Sequence, residues 1–375
     1  MHALVTGGAG FIGSFLVERL LSEGYSVTIL DNLTPQVHPN GAPAHLAAAA
    51  EYITGDVRDP AVLGDALARA DVVIHCAAAV GVGQSMYQVR HYVDVNVGGA
   101  ANLLQLIIDQ KRRPNKLVVL TSMTGYGEGA YRRPSDGALV RPAGRTEADV
   151  RRNGWEPVCA QTGEPLISAA TPEDATLQAQ NIYALTKRYQ EELALSLGRT
   201  YQFPVVCLRL FNVYGPRQSL SNPYTGVLAI FISRLLAGQR PVVYEDGRQT
   251  RDFVSVHDVV SAIMRALSRS EADGQALNIG SGVPRRVTDC ARQLAQQLGC
   301  EDITPDITEQ FRSGDIRHCT ADIRKARDLL GYAPQSQWED SLRELVEWAK
   351  QAPSADHFRD ADAELRQRQL IQPLT

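Results

Sequence analysis

Several features that mark particular classes of protein are missing from this sequence of 375 residues. Its six cysteines, at positions 76, 159, 207, 290, 300 and 319, include no CxxC pair. We therefore expect reduced thiols rather than a disulfide framework. No stretch approaches the roughly 18 consecutive apolar residues of a membrane-spanning helix, and no basic leader precedes the first apolar run. These absences predict a cytoplasmic protein with no membrane partner.

A block of charge of one sign is also missing. The chain has 38 basic and 42 acidic residues, a formal charge of −4, and neither sign is concentrated in one segment. Because a polyanion needs such a basic surface, we expect no nucleic-acid partner. Hydrophobic residues make up 44% and aromatic residues 6%, within the range of globular proteins. At roughly 150 residues per domain, the length predicts one large two-lobed unit.

The N-terminal segment has the pattern of a dinucleotide-binding βαβ unit. An apolar run at 3–6 leads into a glycine cluster at 7–13 and then into an amphipathic helix. The glycines permit a tight turn and a close approach of the backbone to a pyrophosphate at the helix N-terminus. Asp31 ends the next apolar run, where a carboxylate binds an adenosine ribose and repels a 2′-phosphate. The pattern therefore favours NAD over NADP.

Strands and helices continue to alternate along the first 120 residues. Further apolar strands are predicted at 51–56, 71–76 and 117–120, with a helix at 61–70. Such alternation indicates a parallel sheet that helices cover on both faces. We therefore predict an α/β fold, with a Rossmann-type doubly wound parallel sheet and a smaller mixed α/β substrate lobe. Asp56, at the end of one strand, is either an adenine contact or a turn residue.

Three side chains form a candidate catalytic group. Tyr183 and Lys187 lie one turn apart on the same face of a predicted helix, and Ser122 follows the strand at 117–120. At a separation of ~5 Å and an effective dielectric constant of ~20, the lysine would favour the phenolate by ~3 kcal/mol, or about two pKa units. We expect this to lower the pKa of Tyr183 towards neutrality and to make it a proton acceptor.

On these motifs the chain resembles the extended short-chain dehydrogenase/reductase family, specifically its nucleotide-sugar epimerases and dehydratases. The resemblance covers almost the whole chain and includes four later segments, at 209–217, 249–258, 277–280 and 314–317. It implies that Ser122, Tyr183 and Lys187 are catalytic, that NAD is the cofactor and that a nucleoside-diphosphate sugar is the substrate. It also implies a homodimer formed through helices near 90–110 and 183–199.

The resemblance assigns binding residues at the positions that match the family's motifs. The cofactor-binding set is Gly7, Gly10, Phe11, Ile12, Gly13, Asp31, Asn32, Asp56, Val57, Ala77, Ala78, Asn96, Tyr183 and Lys187. The substrate-binding set is Ser122, Met123, Thr124, Asn212, Arg217, Arg251 and Arg317. Arg251 and Arg317 are expected to face the diphosphate, because a planar guanidinium suits phosphate oxygens. No metal is expected, since the turn at 159–163 has no second thiol nearby.

The residues after Ser122 discriminate among the family's reactions. Met123 and Thr124 stand where the similar 4,6-dehydratases carry an Asp-Glu pair. Without these carboxylates, elimination lacks its local acid and base. We therefore expect an isomerase that inverts C4 of the sugar through a transient 4-keto intermediate. A UDP-hexose or UDP-uronate 4-epimerase, a decarboxylase and a ketoreductase stay open as alternatives. So does a protein that senses NAD without turnover, although such proteins tend to lose the tyrosine or lysine.

The predicted domain boundaries follow from the order of these motifs. The NAD-binding lobe comprises residues 1–180 with returning segments at 204–212 and 252–270, and the substrate lobe comprises 213–250 and 275–345. The tail at 351–375 is expected to be a solvated or subunit-packing helix. The segment 128–178 is an insertion, either a lid over the sugar or a subunit contact. It is similar to that of bacterial dTDP-L-rhamnose 4-epimerases, which implies a dTDP-deoxyhexose as substrate.

Overall fold

The computed structural model describes residues 1–110, 112–312 and 314–373. The strands are β1 (His2–Thr6), β2 (Ser26–Asp31), β3 (Glu51–Thr54), β4 (Val72–His75), β5 (Lys116–Ser122), β6 (Ala130–Arg132), β7 (Leu139–Val140), β8 (Ile167–Thr171), β9 (Val205–Leu210), β10 (Asn212–Tyr214), β11 (Val242–Val243), β12 (Thr250–Ser255), β13 (Gln275–Ile279), β14 (Pro284–Arg286), β15 (Asp306–Ile307), β16 (Gln310–Arg312), β17 (His318–Ala321) and β18 (Ile371–Pro373).

The α-helices are α1 (Phe11–Ser22), α2 (Pro60–Leu67), α3 (Val82–Ser85), α4 (Val89–Tyr92), α5 (Gly99–Asp109), α6 (Glu147–Asn153), α7 (Ile182–Tyr201), α8 (Val227–Leu236), α9 (Val256–Ser268), α10 (Val287–Leu298), α11 (Arg324–Leu330), α12 (Trp338–Gln351) and α13 (Phe358–Gln367). A π-helical turn at Val93–Gly98 and 3₁₀ turns at Met123–Tyr126 and Ser270–Ala272 complete the helical segments. Among the described residues, no helix has both the length and the apolar character needed to cross a membrane.

The first sheet carries the nucleotide-binding part of the fold. Its strands lie in the order β13-β9-β5-β4-β1-β2-β3, and every pairing between them is parallel. Helices α1, α9 and α11 contribute to the hydrophobic core on one face, and α2, α5 and α7 to the core on the other. Because both faces are covered, the central strands are apolar almost throughout. The predicted Rossmann-type doubly wound sheet is confirmed.

A second, mixed sheet forms the smaller lobe. Its order is β10-β12-β17-β8-β6-β7, with β14 paired antiparallel to β12. The pairings from β10 through β8 are parallel, whereas β8 with β6 and β6 with β7 are antiparallel. Helices α8, α10 and α12 pack around Tyr214, Phe253 and Trp338 in a separate core. This lobe therefore has its own apolar centre beside the first sheet.

The sheets divide the chain differently from the predicted boundaries. Strand β13, placed by the sequence in the substrate lobe, is an edge strand of the first sheet, where its backbone extends the parallel ladder of β9. Residues 252–255 of strand β12, placed in the NAD-binding lobe, belong to the second sheet. The insertion at 128–178 contributes β6, β7 and β8 to the second sheet. These assignments correct the prediction, and they follow from pairings between strands far apart in sequence.

The C-terminal tail also differs from the prediction. After α12, the chain forms α13 and then β18, which pairs antiparallel with β16 of the same chain. Ala361 and Leu365 of α13 are buried, at 6% and 5% exposure. The tail is therefore packed against its own protein rather than being a solvated helix, and the alternative of a subunit-packing helix stays a prediction.

Candidate functional site

A cavity of about 590 Å³ lies between the two lobes. It opens beyond the carboxyl ends of β1, β4 and β5, where the strand order changes direction on either side of β1. Open α/β sheets bind their ligands at this switch point. The lining includes residues of the glycine loop, the candidate catalytic residues Ser122, Tyr183 and Lys187, and Arg251 from the substrate lobe.

The glycine loop is packed too tightly for any other residue at two positions. Gly7 has φ +70°, and a Cβ built on it would lie 2.7 Å from the Ala77 nitrogen. A Cβ on Gly13 would lie 2.3 Å from the Gly7 carbonyl oxygen. Gly10, the N-cap of α1, offers no side chain to the first-turn amides. The N-terminus of α1 therefore faces the cavity with free backbone donors, which suits a pyrophosphate.

Two carboxylates lie at the adenosine side of this loop. Asp31 accepts hydrogen bonds from the Ala9 nitrogen (3.1 Å) and the Leu33 nitrogen (3.0 Å). Asp56 accepts from Arg58 and from the Asn32 amide (2.9 Å). Hydrogen bonding to Arg58 lowers the pKa of Asp56 to about 2. Asp56 therefore accepts a hydrogen bond within the turn and also lines the cavity. Its predicted role as a turn residue is thus compatible with a contact to the adenine.

The predicted cofactor residues lie on the cavity wall with one exception. Asn96 is fully buried behind it, in the π-helical turn. Its side chain accepts from the Ala79 nitrogen (2.7 Å) and donates to the Ala79 oxygen and to Thr186 Oγ1 (3.0 Å). Asn96 thus ties the loop after β4 to α7, next to Lys187. It supports the site without contacting the cavity, which corrects its assignment as a binding residue.

Ser122, Tyr183 and Lys187 converge although they come from β5 and α7. Asn181 caps α7 by accepting from the Ala184 nitrogen (2.9 Å), which places Tyr183 in the first turn. The Tyr183 nitrogen donates to Ser85 Oγ (3.0 Å), so α3 also fixes this turn. A phenol, a serine hydroxyl and an ammonium at one place can together accept a proton from a sugar hydroxyl.

The electrostatics of Tyr183 differ from the prediction. Burial raises the pKa of Tyr183, and only a hydrogen bond with Ser122 acts to lower it. Lys187 Nζ instead donates to the Leu120 oxygen (2.7 Å) and to Gln190 Oε1 (2.8 Å). The expected lowering by Lys187 is therefore wrong for the protein alone. Its ammonium is held by these acceptors, which fixes its orientation.

A chain of buried hydrogen bonds continues from Lys187 beneath the site. Gln190 Nε2 lies 3.3 Å from His75 Nε2, and His75 Nδ1 lies 2.8 Å from Thr6 Oγ1. Burial lowers the pKa of His75 to about 3, so this ring is neutral. Burial also lowers the pKa of Lys187, to about 8. Of the three ammonium protons, two are used by these protein acceptors and one is left for the cavity.

Three side-chain oxygens at the substrate side are buried without a partner. They are Asn212 Oδ1, Gln218 Oε1 and Gln249 Oε1, and all three residues line the cavity. Leaving a buried acceptor unpaired is costly, so such oxygens commonly bind a ligand. Asn212 was predicted from its motif, whereas Gln218 and Gln249 were not. The three acceptors suit the hydroxyl and amide donors of a polar ligand.

Arg251 and Arg312 supply the positive charge on the substrate lobe's wall. Arg251 Nη1 donates to the Thr250 oxygen (2.8 Å), which orients the guanidinium. Arg312 lies over the ring of Tyr244, 5.2 Å from its centroid, and donates to Asp315 Oδ1 (2.8 Å). Sequence reasoning assigned Arg251 but missed Arg312 and Tyr244. Two arginines on one wall can bind a diphosphate through paired hydrogen bonds.

The two other predicted arginines do not reach the cavity. Arg217 lies over the ring of Phe15 (4.2 Å) and pairs with Glu18 (2.8 Å), both on α1. Arg317 is completely buried and forms ion pairs with Glu245 (2.7 Å) and Asp246 (2.6 Å). Neither residue lines the cavity, so the structure does not support their assignment as substrate contacts. Carboxylates hold the Arg317 guanidinium, whereas Nη1 of Arg217 is buried without a hydrogen-bond partner.

Arg317 belongs to a buried ion network that anchors the insertion. Its Nε donates to Glu156 (3.0 Å), and its backbone nitrogen donates to Glu128 (2.9 Å). Arg145 joins Glu128 (3.1 Å) to Glu245 (2.7 Å). Burial would raise the pKa of Glu156, but hydrogen bonds from His318 and Arg317 lower it to about 2. No described residue of 128–178 lines the cavity, and this network joins the insertion to the substrate lobe. Its role as a lid or as a subunit contact stays a prediction.

The two described residues that follow Ser122, Met123 and Thr124, do not supply the carboxylates that an elimination needs. Met123 is buried at 4% exposure, and Thr124 Oγ1 donates to Ser122 Oγ (3.0 Å). The carboxylates among the described lining residues all have other partners and are Asp31, Asp56, Asp315 and Asp362. Among the described residues, no group of three His, Cys, Asp or Glu could hold a metal ion.

Comparison with known proteins gives this geometry its context. The model of the "NAD dependent epimerase/dehydratase family" matches residues 3–146 and 159–280. A dTDP-L-rhamnose 4-epimerase of Burkholderia thailandensis is 36% identical over 93% of this chain and 94% of its own length. A putative UDP-glucose 4-epimerase of Methanocaldococcus jannaschii is 31% identical over 92% of this chain and 98% of its own.

Solved structures agree with this match. A UDP-glucose 4-epimerase of Thermotoga maritima with UDP-glucose has a TM-score of 0.77 at 28% identity, over 94% of this chain and 99% of its own. A UDP-glucuronic acid 4-epimerase of Bacillus cereus, in complex with UDP-glucuronic acid and NAD, has a TM-score of 0.77 at 26% identity with the same coverage. The predicted NAD cofactor and enzymatic character are confirmed. This chain belongs to the NAD dependent epimerase/dehydratase family.

Proposed function

We propose that this enzyme is a nucleotide-sugar 4-epimerase that acts on a dTDP-deoxyhexose such as dTDP-L-rhamnose. The observation that carries the reaction type is the joint placement of Ser122, Tyr183 and Lys187 on one cavity wall, without a free carboxylate next to Ser122. The relative at 36% identity, a dTDP-L-rhamnose 4-epimerase, supports the substrate. UDP-sugar 4-epimerases at 31% identity keep a UDP-hexose or UDP-uronate as the second candidate.

The chain's own groups account for the proton half of the reaction. Tyr183 accepts the proton of the sugar's 4-hydroxyl, and the Ser122 hydroxyl binds the same oxygen. Lys187, oriented by Leu120 and Gln190, directs its remaining proton towards the cavity. NAD, held by the glycine loop and Asp31, would supply the chemistry of taking up and returning a hydride at C4. Tyr183 holds the proton while the sugar is at the 4-keto level, and it returns the proton to the C4 oxygen after the sugar has turned within the cavity.

The substrate residues fit this reaction. Arg251 and Arg312 would bind the diphosphate, and the unpaired oxygens of Asn212, Gln218 and Gln249 would accept from donors of the sugar and base. Dehydration is disfavoured, because Met123 and Thr124 can supply neither acid nor base. Decarboxylation is kept as an outcome of the test, since one relative at 29% identity is a UDP-N-acetyl-alpha-D-glucosaminuronate decarboxylase.

The decisive experiment incubates the purified protein, without added cofactor, with dTDP-L-rhamnose, UDP-glucose and UDP-glucuronic acid. We expect NMR to show inversion at C4 of the dTDP-deoxyhexose, with deuterium placed at C4 retained in the product. Retention follows because the hydride leaves and returns on the same cofactor. Loss of the label to solvent, release of carbon dioxide from the uronate, or a demand for external reduced cofactor would contradict 4-epimerisation.

Replacing Arg312 by methionine tests the assignment of the diphosphate. We expect KM for the nucleotide sugar to rise about 10- to 100-fold, because charge-assisted hydrogen bonds contribute roughly 1.5–3 kcal/mol. The amount of bound NAD should not change. The control is Arg324→Met on α11, since Arg324 is 78% exposed and pairs with Asp322 outside the cavity. An unchanged KM in Arg312→Met would show that the diphosphate binds elsewhere.

Two further parts of the proposal concern the assembly and location of the protein. We propose a homodimer in which α4, the π-helical turn after it and α7 face the partner, because these segments carry exposed large apolar residues, namely Val89, Val93, Tyr189 and Leu193. Such residues are typical of an interface. We also propose that the enzyme acts in the cytoplasm.

A further inference from the structure

The C-terminal helix α13 turns one whole face towards the cavity. The residues on this face are Phe358, Ala361, Asp362 and Leu365, spaced i, i+3, i+4 and i+7, and all four line the cavity. This spacing is that of a single helix face. The opposite face is exposed and includes Asp360, whose side chain is 87% accessible. The helix is therefore a wall of the site, although it lies more than 150 residues beyond the catalytic tyrosine in sequence.

The tail bridges the two lobes across the cavity. Towards the first lobe, Leu365 packs on α3, where a Cβ built on Gly83 would lie 3.0 Å from Leu365 Cδ2. Arg368 lies over the ring of Tyr87, 5.2 Å from its centroid. Towards the second lobe, Asp362 accepts from the Tyr244 hydroxyl (2.9 Å). The same segment thus contacts both sides of the cleft.

These contacts place α13 along the substrate half of the cavity. Helix α3 is the element whose Ser85 holds the Tyr183 nitrogen, so Leu365 lies at the catalytic end. Tyr244 lies under the Arg312 guanidinium, so Asp362 lies at the arginine end. Strand β18, which follows α13, pairs with β16, the strand that carries Arg312. A ligand that reaches from Tyr183 to Arg312 would therefore run beside α13.

The attachment of the tail is unequal on its two sides. The second lobe holds it by the β16-β18 pairing and by polar contacts to Tyr244, Arg234 (3.2 Å to Asp356) and Ser221 (3.0 Å to the Ala355 nitrogen). The first-lobe contacts described above are the apolar packing on Gly83 and the stacking of Arg368, whose side chain is 53% exposed. The first-lobe side is therefore the one that can separate while the tail stays attached.

We infer that α13 contacts the bound nucleotide sugar and that the segment 354–373 must separate from α3 to admit and release it. The inference rests on the proposed function in taking the ligand to be a nucleotide sugar. Closed, the tail excludes water from the keto intermediate and restricts the space in which that intermediate turns. Open, it exposes the catalytic and arginine ends together.

The test is a reversible covalent link between the tail and α3. In the variant Gly83→Cys/Leu365→Cys, oxidation should join the two cysteines, which lie side by side in the closed state. We expect the oxidised protein, with the disulfide verified by mass spectrometry, to lose at least about tenfold in turnover relative to the same variant before oxidation, and reduction to return it to that starting level. The matched control is Gly83→Cys/Ala363→Cys, because Ala363 is exposed and lies two helical positions from Leu365, which places it on the other side of α13. Wild-type protein under the same oxidation controls for the native thiols.

Equal turnover of the linked and reduced forms would overturn the inference. If no disulfide forms, a second variant tests the inference. Leu365→Ala should raise KM for the nucleotide sugar about tenfold, equivalent to roughly 1.4 kcal/mol of lost contact, without changing bound NAD. Gln367→Ala, on the exposed side of the helix, is its control. An unchanged KM in Leu365→Ala would overturn the inference. Wild-type activity on the nucleotide sugar tests the proposed function separately.

Discussion

Replacing Tyr183 by phenylalanine is expected to reduce turnover by about a thousandfold or more while leaving NAD bound. The substitution removes the phenol hydroxyl that is proposed to exchange a proton with the sugar, and general acid–base groups contribute about 10²- to 10⁴-fold. The ring itself should stay in position, because it packs edge-on against Tyr92 at 6.5 Å. Turnover is measured by NMR of the sugar, and bound NAD by its absorbance after denaturation.

Tyr92→Phe is the matched control for this prediction. Tyr92 is fully buried, and its hydroxyl donates to Gln84 Oε1 (3.0 Å) rather than facing the cavity. Its loss should affect stability, by about 0.5–1.5 kcal/mol for a typical hydrogen bond, and turnover by a few-fold at most. Wild-type turnover in Tyr183→Phe would contradict the mechanism. Loss of bound NAD in the same variant would mean that the substitution disturbs the fold.

The parts of the site that the sequence predicts correctly are those set by local spacing. Gly7 and Gly13 belong to one short loop, where they let the start of α1 approach the end of β1 closely. Tyr183 and Lys187 are four residues apart on one helix, so they share a helix face whatever the rest of the fold does. The direction in which the Lys187 side chain points is not set by local spacing. It depends on the Leu120 carbonyl in β5 and on Gln190, and the first of these is 67 residues away in sequence. The predicted effect on Tyr183 failed for that reason.

The arginines show the same limit. Arg312 and Arg317 are five residues apart in one polar segment, and both have the chemistry to bind a phosphate. The structure separates them by burial, because Arg317 meets Glu245 and Asp246 and Arg312 stacks on Tyr244. These partners come from a turn some 70 residues earlier. No spacing rule within the segment distinguishes the two side chains.

The sequence of the tail contains a pattern that predicts a buried helix face, although its charged composition favours a solvated one. Residues 358–367 are rich in charge, which favours a solvated helix. Yet Phe358, Ala361 and Leu365 recur at helical spacing, which is the pattern of a helix with one buried face. What that face covers could not be predicted, because it packs on α3 and beside Tyr244, elements from two different lobes.

Replacing Arg317 by methionine should destabilise the enzyme by about 3–5 kcal/mol, the usual cost of leaving one side of a buried ion pair without its partner. The substitution keeps an unbranched side chain of similar length but leaves Glu245, which is only 2% exposed, and the partly buried Asp246 without this cation. The surface ion pair between Arg324 and Asp322 offers the comparison. Arg324→Met should lower the free energy of unfolding by at most about 1 kcal/mol.

The measurement is the urea midpoint of NAD-loaded protein, together with KM for the nucleotide sugar. Because Glu245 adjoins Tyr244 on the cavity wall, we expect the loosened turn to raise KM as well, even though Arg317 itself lies outside the cavity. Adding Glu245→Gln should recover part of the lost stability, since it removes the charge that Arg317→Met leaves unpaired. A single variant as stable as the wild type would show that Arg145 alone neutralises this network.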